Sequence, residues 1–123
     1  MMHKLELLLK NHNVDMAVVD RTGTPVAYQT IVQHGLTKVF FDFSMPNKII
    51  INLHKQTSDA LIELKGVILG NIKFKNSMLA QLCVYTTEHG VQRCTTWNQN
   101  GRVEFEFFDH DPILYHLHMG TTI

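Results

Sequence analysis

The stretch Arg102–His118 reads RVEFEFFDHDPILYHLH. Its first half alternates: Val103, Phe105 and Phe107 fall on one side, and Arg102, Glu104 and Glu106 on the other. Residues two apart project from the same face of a strand, so this is the pattern of a half-buried β-strand. Its second half collects Asp109, His110, Asp111, His116 and His118, the densest group of ligand-type side chains in the chain. One segment therefore holds both the clearest core strand and the best candidate for chemistry.

Upstream, the same period recurs between turn signals. Val91–Trp97 and Leu79–Thr87 read as strands around Glu88-His89-Gly90, and Asn98–Gly101 is the strongest turn. A two-residue His89-Gly90 loop would place Val84 opposite Thr95 and Leu82 opposite Trp97. Leu82, Val84 and Trp97 then share the core face, with Tyr85, Cys83 and Cys94 on the outer one. A three-residue Gln99–Gly101 loop, with Gly101 at positive φ, places Val103 opposite Trp97 and Phe105 opposite Thr95.

Further strands are expected at Val14–Asp20, Val26–Val32, Leu36–Phe43, Lys48–His54, residues 60–65 and Ile68–Phe74. Val14–Asp20 and Val26–Val32 are expected to pair as a hairpin across Arg21–Pro25. Residues 2–11, within an N-terminal segment 1–12, are read as a short helix because Leu5, Leu8 and Leu9 share a helical face. Short strands at close spacing, without intervening helical patterns, mark an all-β, mainly antiparallel chain. The expected architecture is a single domain over residues 1–123: a jelly-roll-like β-sandwich with one short N-terminal helix docked on it. It resembles jelly-roll and related β-sandwich domains, which include carbohydrate-binding modules and virion structural domains; the resemblance is architectural.

The totals bound the function classes. With 123 residues, 45% of them hydrophobic and 18% charged, the chain supports one globular core. Eleven basic residues balance eleven acidic ones, so no summed field draws in nucleic acid or an anionic membrane. Near-zero net charge also weakens repulsion between copies, which favours a homo-oligomer. The run MMHKLELLLKNHN lacks the pattern of a signal peptide, and no run reaches the ~20 apolar residues of a membrane span. Cytoplasmic synthesis is the expectation, with a place in a virion left open.

Each candidate site also has a plainer structural role. His116 and His118 form an H-x-H pair whose imidazoles share one strand face. With Asp109, His110 or Asp111 they would hold a divalent metal, as in cupin-like enzymes. The same pair also fits a surface or interface edge strand whose Tyr115, Leu117 and Met119 face in. Asp109-His110-Asp111-Pro112 reads first as a turn, and second as His110 held between carboxylates as a base or pH switch. Cys83 and Cys94 have no histidine partner in sequence to activate either thiol. No G-x-S-x-G, phosphate loop or dinucleotide fingerprint is present. The remaining feature is aromatic: Tyr28, Phe40, Tyr85 and Phe108 are read as outward-facing, and Tyr115 joins them as an interface candidate. Such rings stack on sugars or anchor a protein partner. The expected function is a non-catalytic, self-assembling interaction module for a carbohydrate or protein partner; the metal-dependent enzyme is the alternative.

Overall fold

The structure, a computed structural model, describes residues 2–44, 48–105 and 120–122. In chain order the strands are β1 (Met2–His12), β2 (Val14–Asp20), β3 (Gln29–Gln33), β4 (Leu36–Ser44), β5 (Ile49–Lys55), β6 (Leu61–Leu69) and β7 (Ile72–Phe74). There follow a 3-10 helix (Asn76–Gln81), β8 (Cys83–Thr87), β9 (Gly90–Gln92), β10 (Thr96–Trp97), β11 (Gly101–Phe105) and β12 (Gly120–Thr122). They form two antiparallel sheets. The larger has the order β12-β7-β6-β1-β4-β3, with β10 also on β6; the smaller has the order β2-β5-β11-β8-β9.

The N-terminal segment is a strand, not the expected helix. Leu5, Leu7 and Leu9 are each fully buried, while Glu6 and Leu8 are half-buried on the opposite face. That is a period of two. The helical reading took Leu8 with Leu5 and Leu9, and leucine's good helix propensity did not discourage it. Tertiary pairing decides the matter: β1 lies in the middle of the larger sheet, between β4 and β6. Burying each leucine contributes roughly 1.5–3 kcal/mol, so β1 is the hydrophobic spine of that sheet.

A bulge keeps β6 in step with it. Leu8 faces Gly66 and Leu9 faces Leu64, which leaves Lys65 as the extra residue. The buried set of β6 accordingly switches from Ile62 and Leu64 to Val67 and Leu69. This single residue explains why the alternation read over residues 60–65 does not run on in phase.

Two turns obey simple backbone rules. His34 and Gly35, at φ 55° and 77°, join β3 to β4, and positive φ at both central residues is the I′ hairpin geometry. Asn13, at φ 56°, turns the chain from β1 in the larger sheet to β2 in the smaller. The Asn11 side chain secures this corner, donating to the Val14 carbonyl at 3.0 Å and accepting the Val14 amide at 3.1 Å.

Several pairings differ from expectation. Strands β2 and β3 belong to different sheets and do not form a hairpin; a single bridge, Val19 to Pro25, survives of that idea. Residues 76–81 form the 3-10 helix, so the expected Leu79–Thr87 strand starts only at Cys83. The β8–β9 loop is Glu88-His89, which pairs Tyr85 with Gln92 rather than Cys94. Burial then turns Cys83 and Tyr85 inward and leaves Val84 half-buried, the reverse of the expected faces. Trp97 pairs with Ile62 of β6, whereas Val103 and Phe105 pair with Ile51 and Ile49 of β5 and with Tyr85 and Cys83 of β8. The three-residue hairpin is therefore incorrect. Trp97 and Phe105 nevertheless meet in the core, edge to face, with ring centroids 6.3 Å apart.

Inside the sandwich, one continuous core joins both sheets. Leu5, Leu7, Leu9, Val39, Phe41, Ile62 and Val67 from the larger meet Val18, Ile49, Ile51, Val103, Phe105 and Tyr85 from the smaller.

Candidate functional site

The crossover from β2 to β3 builds a chemically varied cleft. Residues 26–28 carry the chain from one sheet to the other. The Val26 amide donates to the Val18 carbonyl of β2 at 2.9 Å, and Gln29 then pairs with Phe40 of β4. Tyr28 sits at the end of this crossing and touches both layers. Its ring packs on Phe41 with centroids 5.9 Å apart, and its hydroxyl donates to the Met16 carbonyl at 3.3 Å. Held at both ends, it is still 37% exposed.

A cleft of about 310 Å³ opens beside it, lined by Lys4, Ala27, Tyr28, Gln29, Phe40, Phe41 and Asp42. Strand register explains this company. Gln29 lies opposite Phe40, and Lys4 lies opposite Asp42, on the outer face of the larger sheet. The Lys4 ammonium lies 4.8 Å from the Phe40 ring centroid, where the ring's negative face attracts it. The rim thus offers a donor-only cation, an acceptor-only carboxylate and an amide that does both. The two formal charges cancel. Such a surface suits a neutral ligand with hydroxyl groups and an apolar flank.

Of the sequence candidates, Tyr28 and Phe40 come together here. Tyr85 does not: it is 3% exposed and belongs to the core. Its hydroxyl donates to the Gln99 carbonyl at 2.7 Å and accepts the Gln99 amide at 2.7 Å. Burial raises its pKa. The outward reading failed because Trp97, taken to set the core face of β8, pairs with β6 in the other sheet, while β8 takes its face from β11, where Val103 lies opposite Tyr85 and Phe105 opposite Cys83. Phe108, Tyr115, and the metal candidates Asp109, His110, Asp111, His116 and His118 lie outside the described residues. Among the described residues, no three His, Cys, Asp or Glu side chains converge as metal ligands. Lys4, Gln29, Phe41 and Asp42 escaped sequence reading, since cross-strand register alone brings them to the tyrosine.

The cysteines are not paired with each other. Cys83 is buried, and Cys94 is half-buried with its Sγ 3.4 Å from the Thr96 carbonyl. Burial raises the Cys94 pKa. A thiol held protonated is a poor nucleophile. Elsewhere, the Asp20 carboxylate is occupied by its own turn, accepting from the Thr22 amide, the Thr22 hydroxyl and the Thr24 amide. The Thr22 hydroxyl, first among these bonds, lowers the Asp20 pKa.

No protein-family model matches the chain, and no curated protein matches it. A solved structure does resemble it: the selenomethionine form of vCBM60, from work linking two families of calcium-dependent carbohydrate-binding modules by circular permutation. The TM-score is 0.56 at 11% identity, over 89% of this chain and 98% of that one. At this identity the likeness establishes the β-sandwich fold.

Proposed function

We propose that this β-sandwich is a non-catalytic carbohydrate-binding module whose sugar contacts lie in the Tyr28 cleft. The observation that carries the reading is the convergence of an anchored, exposed tyrosine with Phe40, Lys4, Gln29 and Asp42 around one opening. A sugar ring presents an apolar C–H face and a rim of hydroxyls. The tyrosine takes the face, and the charged and amide groups take the hydroxyls. The volume falls at the lower end of the roughly 300–1,000 Å³ typical of ligand sites, room for a short saccharide.

The fold neighbour supports the reading at the level of architecture, being itself described as a carbohydrate-binding module. Calcium dependence belongs to that protein's description. Among the described residues no three His, Cys, Asp or Glu side chains converge, and the contacts proposed here are direct ones. Weak, non-catalytic binding of this kind gains strength when copies act together. We therefore also propose that the module works as a homo-oligomer, as a structural or accessory component of a particle such as a virion.

Screening against an oligosaccharide array, followed by calorimetry on the best binder, tests this. Binding by the folded protein that is lost in Tyr28→Ala is the expected result. A binder that tolerates Tyr28→Ala, or no binder at all, overturns the assignment of the cleft.

A further inference from the structure

Among the described residues, β3 forms an exposed sheet edge with large apolar side chains. Tyr28, Ile31, Val32 and Val91 are the large hydrophobic residues most exposed among those described, and three of them fall within Tyr28–Val32. Ile31 is 53% and Val32 73% exposed, and every residue of β3 is open to solvent. Among the described residues β3 is hydrogen-bonded on one side only, to β4.

The other sheet edges carry protection. Strand β2 bears Asp15 and Asp20, and its edge meets the Pro25–Val26 segment. Strands β9 and β12 are three residues each and include a glycine. Short length, charge and proline are the usual guards against edge pairing. Strand β3, Gln29-Thr-Ile-Val-Gln33, has none of the charge or proline guards.

From this we infer that two copies of the chain pair antiparallel through β3, on a two-fold axis at Ile31. The occupant follows from self-complementarity. Reversed on itself, QTIVQ sets Gln29 against Gln33, Thr30 against Val32, and Ile31 against its own mate. Like meets like in shape, and no charge meets its own sign. An isologous interface demands this property. Backbone phase agrees. Gln33 and Leu36 close the two-residue β3–β4 hairpin, so alternation turns the amides and carbonyls of Thr30 and Val32 away from β4. In the proposed register those groups bond to one another across the axis, with Ile31 at a non-hydrogen-bonded pair.

The dimer merges the larger sheets of both copies into one, with both Tyr28 clefts on the same side. Gln29, on the rim of each cleft, then lies about 15 Å from its mate, four residues along the strand and one strand spacing across. This bivalent arrangement rests on the proposed carbohydrate function; the pairing itself does not.

Light scattering and sedimentation from micromolar to millimolar concentration provide the test, with Ile31→Lys as the disrupting change. Ile31 is exposed and is not among the residues lining the Tyr28 cleft, so Ile31→Lys is expected to fold, to self-associate at least roughly tenfold more weakly, and to keep its affinity for a soluble saccharide. In a Cys94→Ser background, Ile31→Cys is expected to form a disulfide-linked dimer under mild oxidation, because close cross-strand pairs match disulfide spacing. Val91→Cys on β9, a position more exposed than Ile31, is the control. A wild-type monomer throughout, unchanged association in Ile31→Lys, or equal crosslinking of Val91→Cys overturns the pairing. Each of these results is independent of whether Tyr28→Ala abolishes saccharide binding.

Discussion

Tyr28 packs its ring against Phe41 with centroids 5.9 Å apart, while its hydroxyl donates to the Met16 carbonyl on the opposite sheet. The tyrosine is thus fixed by both layers of the sandwich and still presents a free surface. A fixed aromatic ring loses little entropy when a ligand stacks on it, which is what a weak binding site needs.

This anchoring separates binding from stability. Tyr28→Phe keeps the ring and loses only an exposed hydrogen bond, so unfolding free energy should fall by about 0.5–1.5 kcal/mol. Saccharide affinity should stay within a few-fold of wild type. Chemical denaturation and calorimetry on the same sample check both quantities.

Tyr85 offers the contrasting case. Its hydroxyl both gives to and takes from the Gln99 backbone, at 2.7 Å in each direction. Tyr85→Phe leaves these backbone groups without that partner and should cost roughly 1–3 kcal/mol in urea unfolding. The pH dependence carries a definite sign. Burial raises the folded pKa above the ordinary 10.0, so the unfolded chain ionises first. Stability should fall as pH climbs above 10 toward the folded value, and Tyr85→Phe should lack that component of the fall.

Gly101 begins β11 pressed against β8. A Cβ placed there would sit 2.2 Å from the Thr86 carbonyl oxygen, which the backbone cannot yield cheaply. Gly101→Ala should therefore destabilise the fold by roughly 1–3 kcal/mol or more, read as a lowered urea midpoint. By contrast, Gly66→Ala meets Leu8 Cβ at 3.5 Å, an ordinary contact, and should be far milder.

The spine strand gives a direct test of the corrected N-terminus. Leu7→Ala removes a fully buried side chain from the middle of β1 and should cost about 2–5 kcal/mol. Leu8→Ala, on the other face of the same strand, should cost much less. A helix with Leu5, Leu8 and Leu9 inward would predict the opposite ranking, so paired denaturation curves decide between them.

These particulars show what was legible in the chain. Period-two alternation was read correctly wherever one face is buried and the strand is regular: Val39 and Phe41; Ile49, Ile51 and Leu53; Ile72 and Phe74; Val103 and Phe105 are inward as expected. It failed at β1, where Leu8 put an apolar residue on the outer face and let a helical period fit. It failed again at β8, where the core face was inferred from Trp97, which pairs with β6 instead, while Val103 and Phe105 of β11 turn Tyr85 and Cys83 inward. Strand partners were less legible still. Trp97 and Phe105 are close in sequence and touch in the core, yet they belong to different sheets, because turn chemistry constrains only neighbouring strands. The cleft followed the same rule: Tyr28 and Phe40 stood out as aromatic residues, but Lys4 and Asp42 join them only through β1–β4 register.

The central claim is that the Tyr28 cleft binds carbohydrate, and one titration addresses it most directly. Isothermal calorimetry of the best array-selected oligosaccharide should be run against wild type and Tyr28→Ala, with circular dichroism confirming that both are folded. Saturable binding to wild type is expected, with a loss of about tenfold or more in Tyr28→Ala, the scale of one anchoring ring. Equal affinity in the two folded proteins would contradict it.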